Sequence, residues 1–276
     1  MKSMVAAAAS LAALMTITAV DQADARERRV RAEVQTQRGT AVGEATTVRA
    51  KGVRSRSGTW TGPSGKSTTV TDERRIDREA GTYSRDRDRT FANGDTRSLD
   101  VDAQRTAPGQ YEATRTVTGR NGETRTQSGD FTVTKTDDGR TVTGDIQTQN
   151  RGQIDYQRDV SRVDGARSVS SSATFEDGTS RTRDTATACT PGAGCVTTGA
   201  LTNRQGETTT FEQSRQKTET GWEKSRDATF ADGTTRAVDV TGTKTAPGAA
   251  DVTRTVTTRG GETRTQTGSV SVTKAP

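Results

Sequence analysis

The chain contains no histidine. That absence removes the commonest general base, every Ser-His-Asp or Cys-His arrangement and the usual zinc ligands. Aromatic residues stand at 4% and hydrophobic residues at 28%, against roughly 45% apolar in an ordinary globular domain. A chain of 276 residues with so little apolar material lacks the means to fill one large core. It implies either a thin, extended fold or a largely disordered one. One long apolar run is present, Met4 to Val20, preceded by Lys2 and followed by Ala23-Asp24-Ala25. It is short for a membrane span and has the layout of a cleavable export signal over residues 1–25. The mature chain then starts near Arg26, holds no transmembrane helix, and is expected in the periplasm or outside the cell.

Cysteine is nearly absent too. Cys189 and Cys195 enclose Thr-Pro-Gly-Ala-Gly, a turn-forming stretch that brings opposite strand positions within bridging range. In an exported chain this even pair predicts a structural disulfide. No Cys-x-x-Cys spacing supports a redox role. Charge of one sign is also not concentrated. Without residues 1–25 the chain keeps 40 basic and 33 acidic residues, a net +7, with Arg and Asp or Glu interleaved throughout. A nucleic-acid protein would gather its positive charge on one face.

What is abundant is repetition. Residues 87–135 reappear without a gap at 226–274, each copy reading R-D-x-T-F-A-[ND]-G-x-T-R, then T-A-P-G, then T-R-T-V-T-x-R-x-G-E-T-R-T-Q. A third, more diverged copy occupies 168–217 and carries the cysteine pair in place of the T-A-P-G turn. Asn93-Gly94, Asn121-Gly122, Asp177-Gly178, Asp232-Gly233 and further glycine turns recur at about 28 residues, a period that marks repeat architecture. Asn-Gly and Asp-Gly favour tight hairpins because their central residues need positive φ. A second set of turns lies midway, so segments of about ten residues, a natural strand length, separate successive turns. In 124–134, Thr, Ser and Asp alternate with Arg, Gln, Gly, Phe and Val, the period of two that defines a strand.

The expected fold is therefore all-β: an antiparallel up-and-down meander of repeated hairpins, extended and weakly cored, with modules of about 55 residues near 84–135, 168–217 and 223–274. Residues 26–276 form a single region. Phe91, Phe175 and Phe230, each three residues before a turn glycine, are expected packing anchors, as are Tyr83 and Trp222 at matching positions of the two close copies. An outer-membrane barrel has the same strand count, but its lipid face must be apolar with aromatic girdles. These strands carry Thr or Arg on both faces, so the sequence speaks against it.

No catalytic constellation emerges. Gly62-Pro63-Ser64-Gly65-Lys66-Ser67 lacks the first glycine of a phosphate loop, with Trp60 in its place. The pairs Asp86 and Asp88, or Asp100 and Asp102, share strand faces but sit among arginines, which suits ion pairing better than acid–base work. No cofactor, metal or enzymatic activity is expected. Export, repetition and the missing catalytic groups predict a structural or adhesive component of the bacterial envelope or matrix. A second expectation is a binding module for acidic polymers such as lipopolysaccharide, anionic polysaccharide or extracellular DNA, through Arg115, Arg125, Arg254 and Arg264. Self-association is a further expected partnership, and the Thr-x-Thr ranks present a weaker resemblance to an ice-binding surface.

Overall fold

The computed structural model describes residues 26–36, 39–149 and 152–274; the export signal expected over residues 1–25 lies outside them. Eighteen strands follow one another. The first six are β1 (Arg26–Thr36), β2 (Gly39–Ala50), β3 (Val53–Thr61), β4 (Ser67–Asp77), β5 (Thr82–Thr90) and β6 (Thr96–Ala107). Next come β7 (Gln110–Thr118), β8 (Thr124–Thr136), β9 (Gly139–Thr148), β10 (Gly152–Val163), β11 (Ala166–Phe175) and β12 (Ser180–Thr190). The last six are β13 (Gly194–Thr202), β14 (Thr208–Lys217), β15 (Gly221–Thr229), β16 (Thr235–Ala246), β17 (Ala249–Thr257) and β18 (Thr263–Lys274).

Turn chemistry alternates between the two rims. At one rim, five-residue turns such as Phe91–Asp95 and Phe230–Thr234 are closed twice. The first N–H bonds the fifth carbonyl, and the glycine N–H bonds the first carbonyl (Phe91 N to Asp95 O 2.8 Å, Gly94 N to Phe91 O 2.9 Å). Gly94 has φ +87° and Gly233 +78°, the left-handed region that a side chain strains. At the other rim the connections include Pro108-Gly109 and Pro247-Gly248, with Gly109 and Gly248 again left-handed. No connection between described strands exceeds five residues.

Each strand pairs antiparallel with its chain neighbours, and β1 pairs with both β2 and β18. The meander therefore closes into a barrel, which corrects the expected open, extended ribbon. An open sheet would leave two edges of unpaired N–H and C=O groups; closure pairs Val30 with Val272 and Val34 with Gly268. The repeated modules are not a stacked array but successive hairpins of one ring.

Register makes the closure possible. The cross-strand row Arg28–Thr47–Arg56–Asp72–Arg87–Leu99–Val117–Arg125 starts near one rim and ends near the other, so the strands are tilted and staggered as a barrel requires. For 18 strands about 4.8 Å apart and tilted about 40°, the backbone diameter is on the order of 35 Å.

Strand alternation sorts the side chains onto two walls. Residues in register with Val34, Tyr83 and Phe131 share one wall; those in register with Thr116, Asp130 and Thr255 share the other. In β3–β4 and β5–β6 the first wall supplies the hydrogen-bonded pairs (Ile76 N to Gly52 O 2.7 Å, Arg105 N to Gly81 O 2.9 Å). Combined with the direction of the stagger and the right-handed strand twist, this turns the first wall toward the barrel axis. Burial agrees, because Ala32, Val34, Ala41, Ala45, Ile154, Val160, Val240 and Val252, the buried apolar residues, all lie on it.

Candidate functional site: the inner wall

Charge is segregated across the barrel wall. Among strand residues whose side chains are described, every Asp and Glu except Asp72 points outward. Every Arg and Lys except Arg29, Arg31 and Arg75 points inward. The arrangement follows from the sequence itself: runs such as Arg85-Asp86-Arg87-Asp88-Arg89 throw alternate signs to opposite faces. One inner row, Arg49–Arg54–Arg74–Arg85, places four guanidinium groups on four neighbouring strands. Asp72 is its counter-ion, accepting from Arg85 Nη2 at 2.5 Å and from Arg74 Nε at 3.1 Å. The Nε atoms of Arg28, Arg89 and Arg158 are buried without a hydrogen-bond partner.

Between arginine rows run apolar ones. Tyr83, Ala103, Ala113, Gly129, Ile146 and Ile154 stand in one row across β5–β10. Tyr111, Phe131, Gly144 and Tyr156 stand in the next. Phe131 meets Tyr156 edge-on at 6.4 Å and lies over Gly144, where a Cβ would come within 2.4 Å of the ring. Trp222 lies over Gly242 in the same way, at 2.3 Å. These glycines let aromatic rings lie flat against the sheet and leave the bore clear.

The residues singled out in the sequence fall in three places. Arg115, Arg125, Arg254 and Arg264 all line the inner wall, where Arg115 and Arg254 donate to Gln127 and Gln266 at 2.9 and 3.2 Å. Arg264 pairs with Glu262 at 2.9 Å and Arg125 with Glu123 at 3.5 Å; Arg254 is buried. Tyr83 and Trp222 are half-buried on the same wall. Cys189 and Cys195 are directly paired across β12 and β13, bonded to each other, at the rim of the Pro-Gly turns.

Phe91, Phe175 and Phe230 sit at the opposite rim, where each receives an arginine from the following five-residue turn. Arg120, Arg204 and Arg259 stack at 4.2, 4.2 and 4.0 Å from the ring centroids. The same arginines bond carboxylates of the first turn: Arg120 with Asp95 at 2.8 Å, Arg204 with Asp177, Arg259 with Asp232. Thr179 and Thr234, through hydroxyl and backbone N–H, hold the carboxyls of Asp177 and Asp232 below the usual range, with the arginines adding to the effect. For Asp95 the leading cause is Asn93, then Arg120. These arginine clasps were missed at the sequence level, though each arginine follows its phenylalanine at the same separation.

The outer wall is hydroxyl and carboxylate. Thr116 faces Thr126 at 3.3 Å, Thr202 faces Thr208 at 2.9 Å and Ser214 faces Ser225 at 2.7 Å. Glu112, Asp130, Asp145 and Asp155 share one row.

No family model matches the sequence, and no curated protein matches it either. Solved structures do match the shape. A mutant of the Rh. blastica porin superposes with a TM-score of 0.52 at 9% identity, covering 90% of this chain and 99% of that one. Acinetobacter baumannii OccAB3 gives a TM-score of 0.48 at 9% identity, over 92% and 100% of the two chains. Pseudomonas aeruginosa OpdK, solved with vanillate, gives 0.48 at 8% over 91% and 98%. The fold is thus a porin-like antiparallel barrel. That finding, with the ring closure, overturns the structural or adhesive reading and the secreted-array picture behind it. The four arginines of the polymer-binding reading lie on the inner wall, and nearly all strand carboxylates lie on the outer one.

Proposed function

We propose that the chain is an exported, non-enzymatic porin-type barrel of the outer membrane whose lumen conducts small anionic solutes. The observation that supports this is the segregation of charge, which lines a closed ring with Arg and Lys and keeps nearly all strand carboxylates outside it. A lumen of one sign raises the local concentration of the opposite ion, and rings of Arg and Lys select for anions in pores. Among the described residues, no connection between strands exceeds five residues, too short to fold into the bore. The test is a planar bilayer with purified mature chain under a KCl gradient. A reversal potential displaced toward chloride, reduced by Arg54→Gln with Arg85→Gln, is expected; cation preference would overturn the reading.

One observation favours a second reading. The outer wall carries Thr, Ser, Asp and Glu where a lipid-facing band should be apolar, and charges there are destabilising, by about 2–4 kcal/mol for Arg or Lys at the midplane and by less for Asp or Glu. On that ground the barrel is a water-soluble anion receptacle. Sedimentation as a monomer without detergent, together with absence of conductance, would select it over the channel.

A further inference from the structure

The inner wall is not simply cationic; it is striped. The row Arg74–Arg85–Val101–Arg115–Gln127 borders the apolar row through Tyr83, Ala113 and Ile146. Beyond that lies the aromatic row of Tyr111, Phe131 and Tyr156. Adjacent rows on one face are two residues apart, about 7 Å. In the strip they form, the Tyr83–Ile154 row spans six strands, and the aromatic row doubles its width over four of them, β7–β10, with Arg105 taking the aromatic row's place on β6. Ile76, which continues the strip beyond Tyr83, is 52% exposed, so the strip is not sealed by other side chains at that end. None of these three rows holds a carboxylate of its own; Asp72, in the next inner row, is bonded to Arg74 and Arg85.

A purely hydrophilic solute has no use for the strip, and a neutral hydrocarbon has none for the arginines. The structure assigns this stripe to an anionic amphiphile: an acyl chain lying along Tyr83, Ile146 and Phe131, with its carboxylate or phosphate head on Arg115 and on Arg85, whose guanidinium it shares with Asp72. Two guanidinium groups separated by one strand are suited to a single compact oxyanion head. The inference rests on the inward orientation of the arginines, as the anion reading does. It adds to that reading a ligand class and a binding strip.

The test is titration calorimetry of the full mature chain with decanoate below its micelle concentration, beside octanoate, decanol and inorganic phosphate. Saturable decanoate binding is expected, about tenfold tighter than octanoate because each buried methylene contributes about three- to fourfold. Decanol should bind at least tenfold more weakly. Arg85→Gln with Arg115→Gln should weaken decanoate at least tenfold, and Phe131→Ser with Tyr156→Ser should weaken decanoate while leaving phosphate unchanged. Equal binding of decanol and decanoate, or no gain from octanoate to decanoate, overturns the proposal on the unaltered chain without relying on any variant. Phosphate binding without decanoate binding defeats the amphiphile and leaves the anion reading standing. Loss of both defeats the two together.

Discussion

At the scale of single residues, the glycines of the inner wall carry constraints that a strand pattern hides. Gly144 is extended, so its own backbone conformation suits any residue; what forbids a side chain is the ring of Phe131 and the backbone carbonyl of Asp130, 2.4 and 2.5 Å from where a Cβ would stand. Gly144→Val should therefore overpack the wall and cost about 1–3 kcal/mol, measured by denaturant unfolding, whereas Gly144→Val with Phe131→Ala should recover part of that loss. The rim carboxylates carry a pH dependence of definite sign. Asp95, Asp177 and Asp232 titrate below their ordinary range when folded, so each contributes stability that is fully present above the unfolded carboxyl pKa of about 3.9. That contribution is lost as pH falls through the lower folded value. Protection of the five-residue turns against hydrogen exchange, relative to the intrinsic rate at each pH, should fall below about pH 4, and the triple Asn variant of these aspartates should not show that step. The turn role of Asn93-Gly94 and Asp177-Gly178 was legible in the sequence, because a two-residue signal acts locally. The depressed pKa values were not, because the arginines responsible lie a full hairpin further on.

At the scale of elements, neighbouring hairpins are joined at one rim by Arg120, Arg204 and Arg259. A cation–π contact at an exposed site contributes about 0.5–1 kcal/mol, and the ion pair beside it is solvent-screened. Arg204→Ala should lower stability by about 1 kcal/mol on these grounds, and Arg204→Lys should recover less than half, since Lys lacks the planar group that stacks and bonds together. At the other rim, the Cys189–Cys195 bridge closes a loop of sequence separation 6. In the chain-entropy account a loop this short contributes about 2 kcal/mol, so reduction should shift the unfolding midpoint while leaving the sheet spectrum of the folded state intact. The fixed place of Phe91, Phe175 and Phe230 before a turn glycine was visible in the sequence, but the groups that stack on them are cations. A search for a core looks for hydrophobic company and passes over Arg.

At the scale of the whole molecule, the barrel holds like charges close together on each wall: Arg49, Arg54, Arg74 and Arg85 in an inner row, Glu112, Asp130, Asp145 and Asp155 in an outer one. Like charges directly opposite on a sheet repel, and salt screens them with a Debye length near 10 Å at 0.1 M. The melting temperature should therefore rise between 10 mM and 500 mM NaCl, and rise further with a polyvalent anion such as sulfate. A falling melting temperature would show that attraction across the wall outweighs repulsion along it. The eighteen strands were readable from turn spacing, because hairpins are local. Closure was not, since it depends on β1 finding β18 from the far end of the chain. The polar pattern of both faces also argued against a barrel by the standard of lipid-facing walls. The alternation Arg85-Asp86-Arg87-Asp88-Arg89 held the two-wall charge pattern in plain view, but only the register shows that all the strands agree on which sign faces in.

The meeting of β1 and β18 beside one another has a consequence for how such a molecule can change over generations. Because the first and last described strands are adjacent, the ring has no privileged starting point, and any tight turn could serve as a new opening once β18 is joined to β1. Because the unit of construction is one hairpin, duplicating a stretch of about 28 residues adds two strands, keeps the count even, and lets the last strand still meet the first antiparallel. The similar segments 87–135 and 226–274 are the kind of copy such growth leaves behind, so the width of the bore is a quantity that duplication can adjust in steps.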